Sequence, residues 1–210
     1  MTIPSSRIRL FGREIDLVTD PDLGRLARAL DDGQAASVYF CNVHMLMLSQ
    51  EDATLARAMD KADLVLADGV PVSWLQKRIS GESAQTVRGH WLMLEICRHA
   101  EKNNQAIGLI GSTPQVMAEL VKSLKSQFED LTIGYHLSPP YSSGELVSPK
   151  EDLNAINASG ITWLFAGFGC PKQEKWVYRY KSELNCKILA VGAAFDWWAG
   201  TIGKPPDWME

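Results

Sequence analysis

The sequence predicts an α/β protein: a mostly parallel sheet with helices on both faces and an N-terminal β-hairpin. Three observations predict it. Short apolar runs alternate with stretches of helical spacing along nearly the whole chain. Those runs are apolar throughout, as strands covered on both faces are. Several of them end in an Asp-Gly or glycine-rich turn just before a helix start, as strands of open α/β sheets do.

In chain order, residues 7–18 alternate on either side of Gly12 and read as the hairpin. Asp20-Pro-Asp22 then starts a helix to about Leu30, with Pro21 in its first turn. The triplet has the Asp-x-Asp spacing of a divalent-metal site, but helix capping accounts for it and a metal role is rejected. Residues 37–41 form a buried strand, and Met45, Leu46 and Leu48 beyond it read as core packing. Residues 64–67 form the next strand. It ends in Asp68-Gly69, and Pro71 opens a helix that carries Val72, Trp74 and Leu75 inward.

A polar loop at 81–86 leads to a helix over 89–103, with Leu92, Leu94, Ile96 and Cys97 spaced for burial. The strand at 106–110 runs into Gly111-Ser112-Thr-Pro and a helix with Val116, Met117, Leu120, Val121 and Leu124 on one side. This turn reads equally as an anion site at a helix N-terminus or as a plain tight turn. A strand follows at 131–135, then the longest loop-like stretch, 138–144. The strand at 161–166 ends in a turn over 167–174, and a helix continues with Trp176, Val177 and Tyr180. A last strand at 187–191 precedes Gly192, Asp196 and a tryptophan-rich end. Trp197, Trp198 and Trp208 there read as a closing layer of the core, a partner surface or a membrane-facing patch. The expected architecture is Rossmann-like, with residues 1–210 as one domain.

Composition excludes several classes of function. A net charge of -4 with no cluster of Lys or Arg speaks against a nucleic-acid surface. Cys41, Cys97, Cys170 and Cys186 are scattered, which suits reduced thiols in a cytoplasm better than disulfides or a zinc site. His44, His90, His99 and His136 show no ligand spacing. The N-terminus lacks the order of a signal peptide, and no apolar run reaches the roughly 20 residues that span a bilayer.

The chemistry collects at strand ends. Asn42, Asp68-Gly69, Gly111-Ser112 and the 167–174 turn all follow strands, and Asp196 lies beyond another. In a parallel sheet these ends share one edge, so one crevice holds a carboxylate, amides, a lysine and glycines that admit a diphosphate. That predicts a nucleotide or phosphorylated ligand. Asp68 reads either as a cap of the next helix or as a reactive group, and Asp196 either as structural or as a ligand contact. Lys172, Gln173 and Glu174 read as a solvated first helical turn or, after the unusual Gly-Phe-Gly-Cys-Pro, as a binding turn.

Asn42, Ala-Asp68-Gly69, Gly-Leu-Ile-Gly111-Ser, Gly167-Phe-Gly-x-Pro-Lys-Gln-Glu174 and Val-Gly192-x-x-Phe-Asp196 resemble the WecG/TagA/CpsF glycosyltransferase family. The resemblance runs from the hairpin to the last residues. It implies an inverting transferase that works without a metal or cofactor. Such an enzyme moves a sugar from a UDP-sugar to a lipid-linked, polyprenyl-diphosphate glycan acceptor in bacterial surface polysaccharide synthesis. Asp68 matches the family's base, which takes the acceptor hydroxyl proton. Asn42 and Gln173 match positions lining the sugar and diphosphate pocket. Gly69, Gly111, Ser112, Gly169, Pro171, Lys172 and Asp196 complete the expected substrate-binding set, with amides near Gly111 and Gly169, or Lys172, facing the diphosphate.

The sequence departs from the family at three places. Thr86-Val-Arg-Gly-His-Trp91 stands where many members have Arg-Val-x-Gly-x-Asp, and Phe40 stands at a common Thr. Both fall on donor contacts, so the N-acetylmannosamine donor of some members is not carried over. The third is a basic, aromatic C-terminal segment, by which members reach the inner face of the cytoplasmic membrane. The sequence stops at Glu210, before such a segment, which is read here as absent. The alternatives are a non-catalytic nucleotide-sugar-binding module and a dinucleotide-dependent oxidoreductase. The lack of a GxGxxG turn counts against the latter. A homo-oligomer is left open.

Overall fold

The computed structural model describes residues 6–32 and 37–201. Strands β1 (Arg7–Leu10) and β2 (Arg13–Asp16) form the expected antiparallel hairpin. Helix α1 (Leu23–Asp32) leads to the central strand β3 (Ser37–Cys41). Helices α2 (Val43–Glu51) and α3 (Ala53–Asp60) separate it from β4 (Leu64–Ala67). Helices α4 (Val70–Ser80) and α5 (Gly89–Lys102) then cross to β5 (Ala106–Gly111). Helix α6 (Pro114–Gln127), β6 (Thr132–Leu137), α7 (Lys150–Ala158), β7 (Trp163–Gly167), α8 (Lys172–Tyr180), β8 (Lys187–Ala190) and α9 (Ala194–Trp198) follow.

The eight strands make one sheet in the order β1-β2-β4-β3-β8-β7-β5-β6, and only the hairpin pair is antiparallel. All other strands therefore end at one edge. Alternate side chains of each buried strand feed two cores. Val38 and Phe40 join the core under α1, α5, α6 and α9. Tyr39 and Cys41 join the core under α2, α3, α4, α7 and α8. Both faces are thus covered, which is why β3, β4 and β7 are apolar at every step but Ser37.

Some elements differ from the sequence expectation. Helix α1 begins at Leu23, so Pro21 precedes it instead of sitting in its first turn. Asp20 accepts from the Asp22 amide at 3.0 Å and Asp22 from the Arg25 amide at 3.1 Å, and Arg25 pairs with both carboxylates. Trp74 is 59% exposed rather than inward. The inward position of α4 goes instead to Gln76, which donates to the Ile15 and Asp16 carbonyls beneath it at 3.2 and 3.1 Å. Two hydrogen bonds to carbonyls at the end of β2 hold the Gln76 carboxamide there, while its buried oxygen has no partner among the described residues. The sequence reading placed no element at α7, where Leu153 and Ile156 alone turn inward. Trp197 and Trp198 are half-buried against His90, with the Trp198 indole donating to the His90 carbonyl at 3.0 Å, so they close the core. Trp208 lies outside the described residues.

The ends of β5 and β7 approach closely. A Cβ on Gly111 would lie 2.5 Å from the Gly167 carbonyl oxygen, and Gly111 has φ +128°. Neither the contact nor the dihedral admits a side chain, so only glycine closes this pair. Gly111→Ala is expected to destabilise the fold by about 2–4 kcal/mol, read as a lower urea midpoint at unchanged m-value.

Candidate active site

The carboxyl ends of β4 and β3 bring Asp68 and Asn42 side by side. Cys41 pairs with Ala67 across the two strands, and the Asp68 amide donates to the Cys41 carbonyl at 2.9 Å. Asp68 does not cap the following helix. The N-cap of α4 is Gly69, with φ +94° and no side-chain capping bond. No described residue donates a hydrogen bond to the Asp68 carboxyl group. Burial lifts its pKa to about 6, opposed by the positive charge of Arg88. A carboxyl group that is desolvated, unbonded and ionised near neutral pH has the properties of a general base.

The segment before α5 closes over this end of β4. The Val87 amide donates to the Ala67 carbonyl at 2.8 Å, and Thr86 and Ser73 share a hydroxyl contact of 2.7 Å. Arg88 is the N-cap residue of α5, and His90 stacks on Trp197 with ring centroids 4.4 Å apart. Burial pushes the His90 pKa down to about 4, so the imidazole is neutral. Asn42 spends its side-chain oxygen on the Met45 amide at 2.9 Å, capping α2.

Across the edge, the turn after β7 is organised by Gln173, which is 4% exposed. Its side-chain oxygen accepts from the amides of Gly169 at 3.1 Å and Gly192 at 3.0 Å. Its nitrogen donates to the Ala190 carbonyl at 3.0 Å and to Glu174 at 2.8 Å. The Gly169 amide is therefore spent within the protein, as is the Ser112 amide, which donates to the Gly167 carbonyl at 3.0 Å. Each of these two amides has one proton, and each proton is engaged, so neither of the two is free to face a diphosphate. Gln173 likewise has its full complement of hydrogen bonds. It holds two turns together.

Lys172 reaches the Ser142 carbonyl and lies 4.8 Å from the Tyr141 ring centroid, tying the 138–149 loop to α8. With Pro171, Lys175, Trp176, Thr54 and Leu146 it lines a cleft of about 420 Å³. Asp196 accepts from Thr201, through its carbonyl at 3.0 Å and its carboxylate at 3.2 Å. The reading of Lys172, Gln173 and Glu174 as a solvated turn fails for the last two, because Glu174 is only 1% exposed. Sequence reasoning missed Glu174 as a buried acid and His90 as a neutral base. The one available signal was the position of each at the first turn of a helix beginning on this edge.

Among the described residues, no three His, Cys, Asp or Glu side chains converge as metal ligands, and no helix is long and apolar enough to cross a membrane. All four cysteines are free thiols.

Comparison with known proteins places this edge in a family. The profile of the glycosyl transferase WecG/TagA/CpsF family matches residues 8–210. Three relatives are each named N-acetylglucosaminyldiphosphoundecaprenol N-acetyl-beta-D-mannosaminyltransferase. That of Bacillus spizizenii is 22% identical over 86% of this chain and 68% of its own length. That of Bacillus subtilis is 20% identical over 86% of this chain and 69% of its own length. The Staphylococcus aureus protein is 25% identical over 70% of this chain, and the match spans only 57% of that relative. With its Asp68 and Gln173 turns on one edge of a parallel sheet, and a family match over nearly its whole length, the chain belongs to the WecG/TagA/CpsF family of glycosyl transferases.

Proposed function

We propose that the chain is an inverting, metal-independent glycosyltransferase that moves a sugar from a UDP-sugar to a lipid-linked, polyprenyl-diphosphate glycan acceptor. The relatives' names support the acceptor class, since each describes transfer to a diphosphoundecaprenol-linked N-acetylglucosamine. The observation that carries the mechanism is the Asp68 carboxyl group, half-buried, uncapping and raised to about 6 at the edge of the sheet.

In this reading the acceptor hydroxyl attacks the anomeric carbon while Asp68 takes its proton. The new glycosidic C–O bond forms as the bond to UDP breaks, and UDP leaves with the electron pair. A single displacement inverts the anomeric centre. Lys172 and Arg88 supply positive charge toward the departing diphosphate, Asn42 and Gly69 border the sugar, and Gln173 acts by fixing the turns at Gly169 and Gly192. Gly111, Ser112 and Pro171 shape the floor by backbone geometry. The donor sugar stays open, because Thr86 is bonded to Ser73 where many members have an arginine. A lipid-linked acceptor brings the chain to the inner face of the cytoplasmic membrane. The rival reading, a binding module without turnover, rests on that same departure at Thr86, and the two readings part on measured transfer.

Asp68→Asn is expected to lower transfer by at least about 10²-fold while UDP affinity, read by calorimetry, stays within about threefold. Undiminished turnover in that variant sinks the assignment. The acid limb of the wild-type pH profile is expected near 6, because the base must be ionised.

A stability measurement tests the same group without substrate. Asp68 has a folded pKa above its ordinary value of 3.8, so its favourable contribution is present below that value and is lost as pH rises through about 6. Asp68→Asn escapes the loss and is expected to be more stable than wild type by about 1–3 kcal/mol at pH 8, but not at pH 4. Urea unfolding at both pH values reads the difference. Finally, chelator is expected to leave transfer unchanged, whereas loss restored by magnesium would point to a metal mechanism.

A further inference from the structure

Glu174 takes no part in the transfer step, yet its carboxyl group is placed with care. It lies in the first turn of α8, 1% exposed. One carboxyl oxygen accepts from Gln173 Nε2 at 2.8 Å, and the Cys170 thiol lies beside the same carboxyl group. The other oxygen, Oε2, is buried with no partner among the described residues.

Among the described residues, the elements packed around it offer no counter-charge. Strand β3 presents Cys41 and Tyr39, whose hydroxyl donates to the Glu174 carbonyl at 2.9 Å. The turn before α8 presents Cys170. Behind these stand two more acids, Asp68 beside Cys41 and Asp52 beside Cys170. Lys175, the next residue of α8, is paired with Asp52. An ionised Glu174 would be a buried charge without a counter-ion, while the neutral acid leaves only one polar atom unsatisfied. Burial accordingly pushes its pKa up to about 7.

Gln173 depends on this neighbour. Its oxygen is committed to the Gly169 and Gly192 amides, so the carboxamide cannot turn over without losing both. Its two N–H groups then need two acceptors, and these are the Ala190 carbonyl and Glu174. Glu174 is therefore the side chain that completes the clamp between β7 and β8.

We propose that Glu174 is a positioning residue: in its acid form it holds the Gln173 carboxamide against the turns at Gly169 and Gly192, and its ionisation opens them. The opened form is favoured because it gives the new charge access to water. The proposal rests on the transfer reading only for its consequence, that the edge carrying Asp68 works best while Glu174 is protonated and Asp68 is not.

Amide hydrogen exchange of the 15N-labelled chain tests the clamp without any substrate. In the wild type, the Gly169 and Gly192 amides are expected to lose protection as pH rises from 6 to 8. The loss should exceed that of a core-strand amide such as Leu164 by about tenfold or more. Glu174→Gln should keep the protection and abolish the excess, since a carboxamide oxygen accepts the same bond and cannot ionise. Glu174→Ala and Gln173→Ala should leave both amides poorly protected at every pH.

Equal exchange behaviour of Gly169, Gly192 and Leu164 in the wild type overturns the proposal, and so does an undiminished excess in Glu174→Gln. If the alanine variants fail to fold, the comparison of wild type with Glu174→Gln decides alone. A chain with the expected exchange but no transfer activity keeps the clamp and loses only the transfer reading. Activity without the pH-linked exchange does the reverse.

Discussion

The pairing of β3 between β4 and β8 is the constraint on which the rest of the structure depends. All five residues of β3 are buried, and its backbone is hydrogen-bonded on both sides. A one-residue slip would exchange the Val38 and Phe40 set for the Tyr39 and Cys41 set and invert both cores at once. That cost fixes the register. The register in turn sets Asn42 beside Asp68 on one side and brings the turn after β8 to the other. Through the Tyr39 hydroxyl the same strand reaches the first turn of α8, far along the chain.

The edge that results is built of two unlike halves. At β4 the Asp68 carboxyl group takes no hydrogen bond from the described residues, and burial raises its pKa. At β7 and β8 it does the opposite, filling every hydrogen-bonding position of Gln173. The contrast is chemically coherent. On the proposed reading a base needs at least one lone pair open to a proton, whereas a scaffold must not move. Amides that a simple strand–glycine–helix picture assigns to a phosphate are used here for the scaffold. The Gly169 and Ser112 protons go to protein acceptors because the glycine turns need pinning in conformations with positive φ.

Family membership narrows what such an edge does without fixing every contact. The relatives are 20–25% identical to this chain over the matched region and extend beyond it. Thr86 shows how a departure from the family is absorbed. Its hydroxyl bonds Ser73 on α4, so the segment keeps its place over β4 by a neutral contact. Arg88, two residues on, supplies the positive charge felt by Asp68.

The sequence by itself determined the fold class, the strands and the edge on which the chemistry gathers. Apolar runs, glycine turns and helix periodicity are local signals, and they sufficed for β3, β4, β5, β7 and β8. It also singled out Asp68 and Gln173, through the turns that carry them. What it left open were the questions decided by neighbours remote in the chain. Whether Asp68 caps or reacts depends on Gly69 taking the cap. Whether Glu174 is solvated or buried depends on Tyr39 and Cys41, which come from another strand. Trp74, expected inward, faces out, while Gln76 turns in over the carbonyls of β2. Burial, hydrogen-bond satisfaction and pKa are properties of an environment, and only the tertiary structure assembles one.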